Sequence, residues 1–138
     1  RWGLEQSRNL MTIRIAYNSG MDNVVKLAKD LGIGDYQPVL AIALGAGETT
    51  PMRLVNAYSI LMANGKAVEP VLFDLVQDRN GRVLYRADAR ACEGCSAARW
   101  QGQAMPRPRD NRRQVMDART AYQVTHMMEG VIQRGTAT

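Results

Sequence analysis

Apolar positions along this chain first recur with the spacing of helices, then bunch like strands, and return to helical spacing near the end. Leu10, Met11, Ile13, Ile15 and Tyr17 follow the polar triplet Ser7-Arg8-Asn9, and Gly20 closes that first helix. Asp22 has the character of an N-cap for a second stripe of Val24, Val25, Leu27, Ala28 and Leu31, and Gly32 supplies its left-handed stop. The run from Val39 to Leu44 then leads into the turn Gly45-Ala46-Gly47-Glu48. Thr50 followed by Pro51 predicts an N-cap and first helical position; Leu54, Val55, Tyr58, Leu61 and Met62 share one face until Asn64-Gly65.

After Pro70 the period changes. Val71–Val76 and Arg82–Tyr85 are rich in strand formers and flank Asp78-Arg79-Asn80-Gly81, a hairpin turn. Residues 88–116 have little periodicity and carry Pro106, Pro108 and many arginines, so they read as a surface excursion or a partly disordered insert whose deletion leaves the core intact. Asp117 then caps a final helix along Ala121, Val124, Thr125, Met128, Val131 and Ile132, ending before Gly135. The organisation is thus a helical part over 1–66, a hairpin over 67–87, the insert over 88–116 and the last helix over 117–138. The fold class is α+β with the helical part predominating, and the hairpin's unpaired edges imply a larger sheet.

Composition sharpens this in two ways. At 138 residues with 46% hydrophobic content the chain can bury a core, and no apolar run is long enough to cross a bilayer. Starting at Arg1 and ending at Thr138 without a signal peptide or a natural stop, it reads as an excised segment. The net charge of +5 rests on arginine, with lysine only at Lys26, Lys29 and Lys66, and eight arginines fall from Arg82 to Arg113. Trp100 is the only aromatic residue after Tyr85 in that stretch, which argues against stacking on nucleic acid and for a solvated face.

Among reactive residues, Cys92-Glu93-Gly94-Cys95 is compatible with a disulfide, half a metal site or a redox pair. A second cysteine pair is absent and His126 is the only histidine, so no full zinc ligand set exists; His126 reads as a surface or capping residue. Tyr58, Met62 and Met128 lie on apolar stripes and read as core. Ser7-Arg8-Asn9, taken alone, reads as a helix cap.

The triplet does not stand alone. Glu5-Gln6-Ser7-Arg8-Asn9-Leu10-Met11-Thr12 is followed by Ala43-Leu44-Gly45-Ala46-Gly47-Glu48-Thr49-Thr50-Pro51, by Asn56-Ala57-Tyr58 and by Ala63-Asn64-Gly65. Val68-Glu69-Pro70, the Asn80-Gly81 turn, Thr120-Ala121-Tyr122 and Gly130-Val131-Ile132-Gln133-Arg134-Gly135-Thr136-Ala137 continue the series. In order and spacing this resembles the middle of a penicillin-binding transpeptidase, over most of the chain outside 88–116. The Ser-Arg-Asn-Leu-Met version and the ending Gln-Arg-Gly-Thr-Ala are similar to the class A proteins, which join a glycosyltransferase domain to this one.

The resemblance implies the mainly helical subdomain of the penicillin-binding and serine β-lactamase-like fold, plus a hairpin from its sheet. That family brings S-x-x-K, S-x-N and K-T-G together in one cleft. Ser7 and Asn9 match the second motif, whereas no S-x-x-K or K-T-G occurs in the chain. The nucleophile is therefore expected upstream of Arg1 and the K-T-G strand downstream of Thr138, leaving these residues inactive by themselves.

By the same resemblance, the Ser7 hydroxyl relays a proton between the upstream lysine and the leaving nitrogen, and the Asn9 amide binds the stem peptide or a β-lactam side chain. Glu48 invites a role as base for deacylating water, as in the related β-lactamases, but the match is to a structural turn in which Glu48, Thr49 and Thr50 hold the start of a helix. The implied parent is a serine acyltransferase acting on D-Ala-D-Ala stem peptides and acylated by β-lactams. It needs no metal or organic cofactor, binds no nucleic acid, and faces the periplasm from an inner-membrane anchor outside this segment. Oxidising surroundings there would suit Cys92 and Cys95. Two other readings stand beside it: a carboxypeptidase or β-lactamase-related hydrolase, and a non-enzymatic basic helical module binding nucleic acid or an acidic protein.

Overall fold

The computed structural model describes all 138 residues and divides into two compact units, Arg1–Val68 with Arg113–Thr138, and Glu69–Arg112. The first is helical: α1 (Trp2–Glu5), α2 (Asn9–Ser19), α3 (Met21–Asp30), a 3-10 turn (Leu40–Leu44), α4 (Pro51–Met62) and α5 (Ala118–Arg134). The second holds one antiparallel hairpin of β1 (Leu75–Gln77) and β2 (Val83–Arg86). No helix is long and apolar enough to cross a membrane.

Two helix starts follow from capping chemistry. The Thr50 hydroxyl accepts from Arg53 N at 3.3 Å with Pro51 just inside the helix, and the Asp117 carboxylate accepts from Arg119 N and Thr120 N at 3.0 and 3.2 Å. Elsewhere the cap differs from expectation. Asp22 lies inside the first turn of α3 and caps nothing; Gly20, at φ 83°, both ends α2 and precedes α3, leaving no extended residue before Asp22 to serve as a boundary. Neither Ser7 nor Asn9 caps α2, whose N-cap is Arg8 with no side-chain hydrogen bond.

The core of the helical unit is Leu31, Ala57 and Ile60, with Ile33, Val68, Val115 and Met116 packed against it. This corrects two expectations. The buried face of α4 carries Ala57 and Ile60, while Tyr58 and Met62 are 51% and 79% exposed and so are not core; Met128 is half-buried. Because α4 is apolar on most of its circumference, periodicity alone does not select which side is covered. Second, residues 113–116 belong to the helical unit and not to a removable insert. Ala67 N donates to Arg113 O at 2.8 Å, and Val115 N and Met116 N donate to Gly65 O at 2.8 and 3.1 Å. Gly65 makes that pairing feasible, since at φ 78° a Cβ there would sit 2.2 Å from Met116 O.

In the second unit the hairpin is shorter than the β-rich run. Only Leu75–Gln77 pairs, in register Leu75↔Arg86, Val76↔Tyr85 and Gln77↔Val83, with an irregularity after Val76. The turn is held by the Asp78 carboxylate, which accepts from Asn80 N and Arg82 N at 2.8 and 2.9 Å, and by Gly81 at φ 81°. Phe73 meets Tyr85 edge-on at 5.2 Å. Cys92 and Cys95 are joined as a disulfide.

Candidate functional site

The corner between α1 and α2 is where exposed, unengaged polar groups meet an unusual backbone. Ser7 sits at φ 51°, in the left-handed region that serine seldom adopts. Such a conformation persists only where neighbouring contacts dictate it. Here Ser7 N donates to Leu4 O at 3.2 Å and Arg8 N to Gly3 O at 2.8 Å, the pattern of a helix end folding back on itself. Gly3 is buried because Met11 lies against it: a Cβ at that position would fall 2.8 Å from the Met11 sulfur. Arg8 turns its guanidinium over the Trp2 ring, 4.9 Å from its centre. Ser7 and Asn9 are exposed, and neither side chain makes a hydrogen bond within the chain.

Beneath this corner lies the only buried charged side chain, Glu5, 5% exposed. Arg134 binds it as a fork, Nη2 to Oε1 at 2.5 Å and Nε to Oε2 at 3.1 Å, and Arg1 Nε adds 2.9 Å to Oε1. The hydrogen bonds from Arg134 and then Arg1 hold the Glu5 carboxyl below its ordinary value. Two backbone links accompany the fork: Gln6 Nε2 donates to Arg134 O and Thr136 N to Glu5 O, both at 3.2 Å.

Glu5 was not among the residues singled out from the sequence. A signal existed in Gly130, a glycine inside α5 that costs about 1 kcal/mol of helix propensity and so asks for a packing reason. The reason is Glu5: a Cβ on Gly130 would lie 2.1 Å from its Oε1.

The other candidates fall outside this corner. The Thr49 hydroxyl donates to Ile33 O at 2.7 Å, Thr50 caps α4, and Glu48 takes part through its backbone carbonyl, which accepts from the Tyr36 hydroxyl at 2.8 Å. The Glu48 carboxylate is exposed and unbonded. His126 is exposed, stacked on Tyr122 and 3.0 Å from Glu129. No three His, Cys, Asp or Glu side chains gather as a metal site would require.

The chain matches the family model described as the penicillin binding protein transpeptidase domain over residues 1–138. It is 41% identical to penicillin-binding protein 1A of Rickettsia bellii across 99% of its length, and 28% identical to that of Pseudomonas aeruginosa, again across 99%. It spans 18% and 20% of those two proteins. The crystal structure of penicillin-binding protein 1A from Haemophilus influenzae superposes on the whole chain with a TM-score of 0.77 at 23% identity, over 22% of that protein, which establishes a shared fold. Matched by that family model over its whole length and 41% identical to a penicillin-binding protein 1A across 99% of it, the chain belongs to the penicillin-binding protein transpeptidase domain family, in the class A line of the penicillin-binding protein 1A sequences.

Proposed function

We propose that this chain forms the S-x-N wall of the acylation cleft in a class A peptidoglycan D,D-transpeptidase. The observation that carries the reading is the α1–α2 corner: a serine held at φ 51°, exposed and unbonded, followed by an asparagine equally unengaged at the first residue of α2. A structural serine in that place would satisfy the helix; this one leaves its hydroxyl to an outside partner.

Acyl transfer from a D-Ala-D-Ala stem peptide requires a nucleophile, a route for its proton to the departing amine, and donors that hold the peptide in register. A hydroxyl both donates and accepts, so Ser7 passes the proton from a base on the nucleophile's side to the leaving nitrogen. The Asn9 amide, with two donors and an acceptor, binds the peptide backbone or the amide of a β-lactam side chain. The nucleophilic serine and its lysine come from the remainder of the polypeptide, so these 138 residues are inactive by themselves. The apolar surface of α4, with Val55, Tyr58 and Met62 all more than half exposed, suits a helix that the remainder of a larger domain covers. The complete protein faces the periplasm from the inner membrane, joined to a glycosyltransferase domain, where oxidising conditions maintain the Cys92–Cys95 disulfide.

The test is acylation by a fluorescent penicillin. The complete protein labels, and Ser7→Ala lowers its acylation rate constant about 10²- to 10⁴-fold, the usual contribution of a positioned acid or base. Robust labelling of the 138 residues alone, or a Ser7→Ala protein acylated at the unaltered rate, refutes the proposal. Stem-peptide turnover with an added amine acceptor yields a cross-linked product, whereas release of free acid alone identifies a carboxypeptidase.

A further inference from the structure

A buried carboxylate two residues from Ser7 calls for an explanation, because removing a charge from water is costly unless it is fully paired. Glu5 is paired on both oxygens, and its partner Arg134 is 129 residues away in sequence. The notch it occupies is kept open by absent side chains. A Cβ on Gly130 would meet Glu5 Oε1 at 2.1 Å, and one on Gly135 would meet Glu5 O at 2.4 Å. With Gln6 Nε2 on Arg134 O and Thr136 N on Glu5 O, residues 5 and 6 are fastened to the end of α5 by side chain and backbone alike.

We infer that Glu5 is a positioning residue for the Ser7 hydroxyl: gripped by Arg134 and Arg1 in a notch made by Gly130 and Gly135, it fixes α1 against the end of α5. The backbone two residues later, at Ser7, must then turn through the left-handed region to enter α2. Ser7 N and Arg8 N close that turn onto Leu4 O and Gly3 O, within the element that Glu5 holds. A shift of α1 along α5 therefore moves the hydroxyl directly. Apolar packing could not do this as sharply, since Leu4 and Trp2 on the same short helix are 46% and 57% exposed.

The inference rests on the S-x-N reading above. Its test uses the complete protein and a fluorescent penicillin, recording the saturating acylation rate constant, the concentration at half-maximal rate and the labelled endpoint. Glu5→Gln keeps the side chain's size without its charge, and Arg134→Lys keeps the charge without the fork. Both variants are expected to lose about 10-fold or more in rate constant, the scale of effect from a misplaced group, while the half-maximal concentration and the endpoint stay unaltered. A merely structural clamp would lower the endpoint through unfolded molecules and leave the rate constant of the remainder unchanged. That result, or an unaltered rate constant in both variants, overturns the inference. Failure of the unaltered protein to label overturns the S-x-N reading and the inference together.

Discussion

The helical unit and the Glu69–Arg112 unit are held by contacts of very different reach. In the second, Asp88 binds Arg90 and Asp110 binds Arg112 two residues away, Gln77 reaches Gly81 four away, and the disulfide joins residues three apart. No side chain in that unit is buried. In the first, Gln114 binds Asn64 across 50 residues, Arg134 binds Glu5 across 129, and Leu31 packs with Ile60 in the core. Short-range contacts of this kind shape the backbone around them. Long-range ones fix one element against another, and Glu5 and Gln6, the two residues before Ser7, make several of them.

Three perturbations separate the two modes, in falling order of effect on the helical unit. Gly65→Ala forces a Cβ onto Met116 O in the left-handed region. It should destabilise the transpeptidase by about 3 kcal/mol, the sum of left-handed strain and overpacking. Denaturant unfolding of the complete protein measures this, and a loss below about 1 kcal/mol would mean that Gly65–Met116 is not a close pairing.

Acidification comes next. The Glu5 pKa is depressed in the folded state, so its contribution is fully present above its ordinary value of 4.5 and is lost as pH falls through the lower folded value. Hydrogen exchange of the Thr136 amide, which donates to Glu5 O, should accelerate in that window. Asp88, lowered to about 2 by its hydrogen bonds from Arg90, behaves with the same sign between 3.8 and about 2, but its protonation loosens only the local loop. Equal responses of the two units to acid would contradict this contrast.

The smallest effect belongs to the disulfide. Replacing Cys92 and Cys95 by serine removes a cross-link spanning three positions, with a chain-entropy contribution of about 2 kcal/mol at most to its own loop. Exchange rates across α4 and α5 should stay unchanged. Faster exchange there would show that the loop supports the helices after all.

Much of this was legible in residues. Thr50-Pro51, Asp117, Gly20 and the Asp78–Gly81 turn announce their roles because each acts on backbone groups within four residues. The motif series from Ser7 to Gly135 likewise led to the family to which the chain belongs. What failed to read correctly was which face of α4 is covered, where the insert ends, and what Ser7 and Asn9 do to the helix they introduce. Tyr58 and Ala57 are both apolar neighbours, and only the position of Leu31 and Met116 decides that Ala57 is inside.

The sequence by itself determined the four longer helices, the hairpin turn and the family, since these depend on local backbone chemistry and on an ordered string of residues, but it gave no sign of α1. Only the tertiary structure decided that Glu5 is buried, that Arg134 is its partner, and that two glycines in and after α5 leave the space they share. The physical reason is distance along the chain: a carboxylate and a guanidinium separated by 129 residues carry no local sign of each other until packing brings them within 2.5 Å.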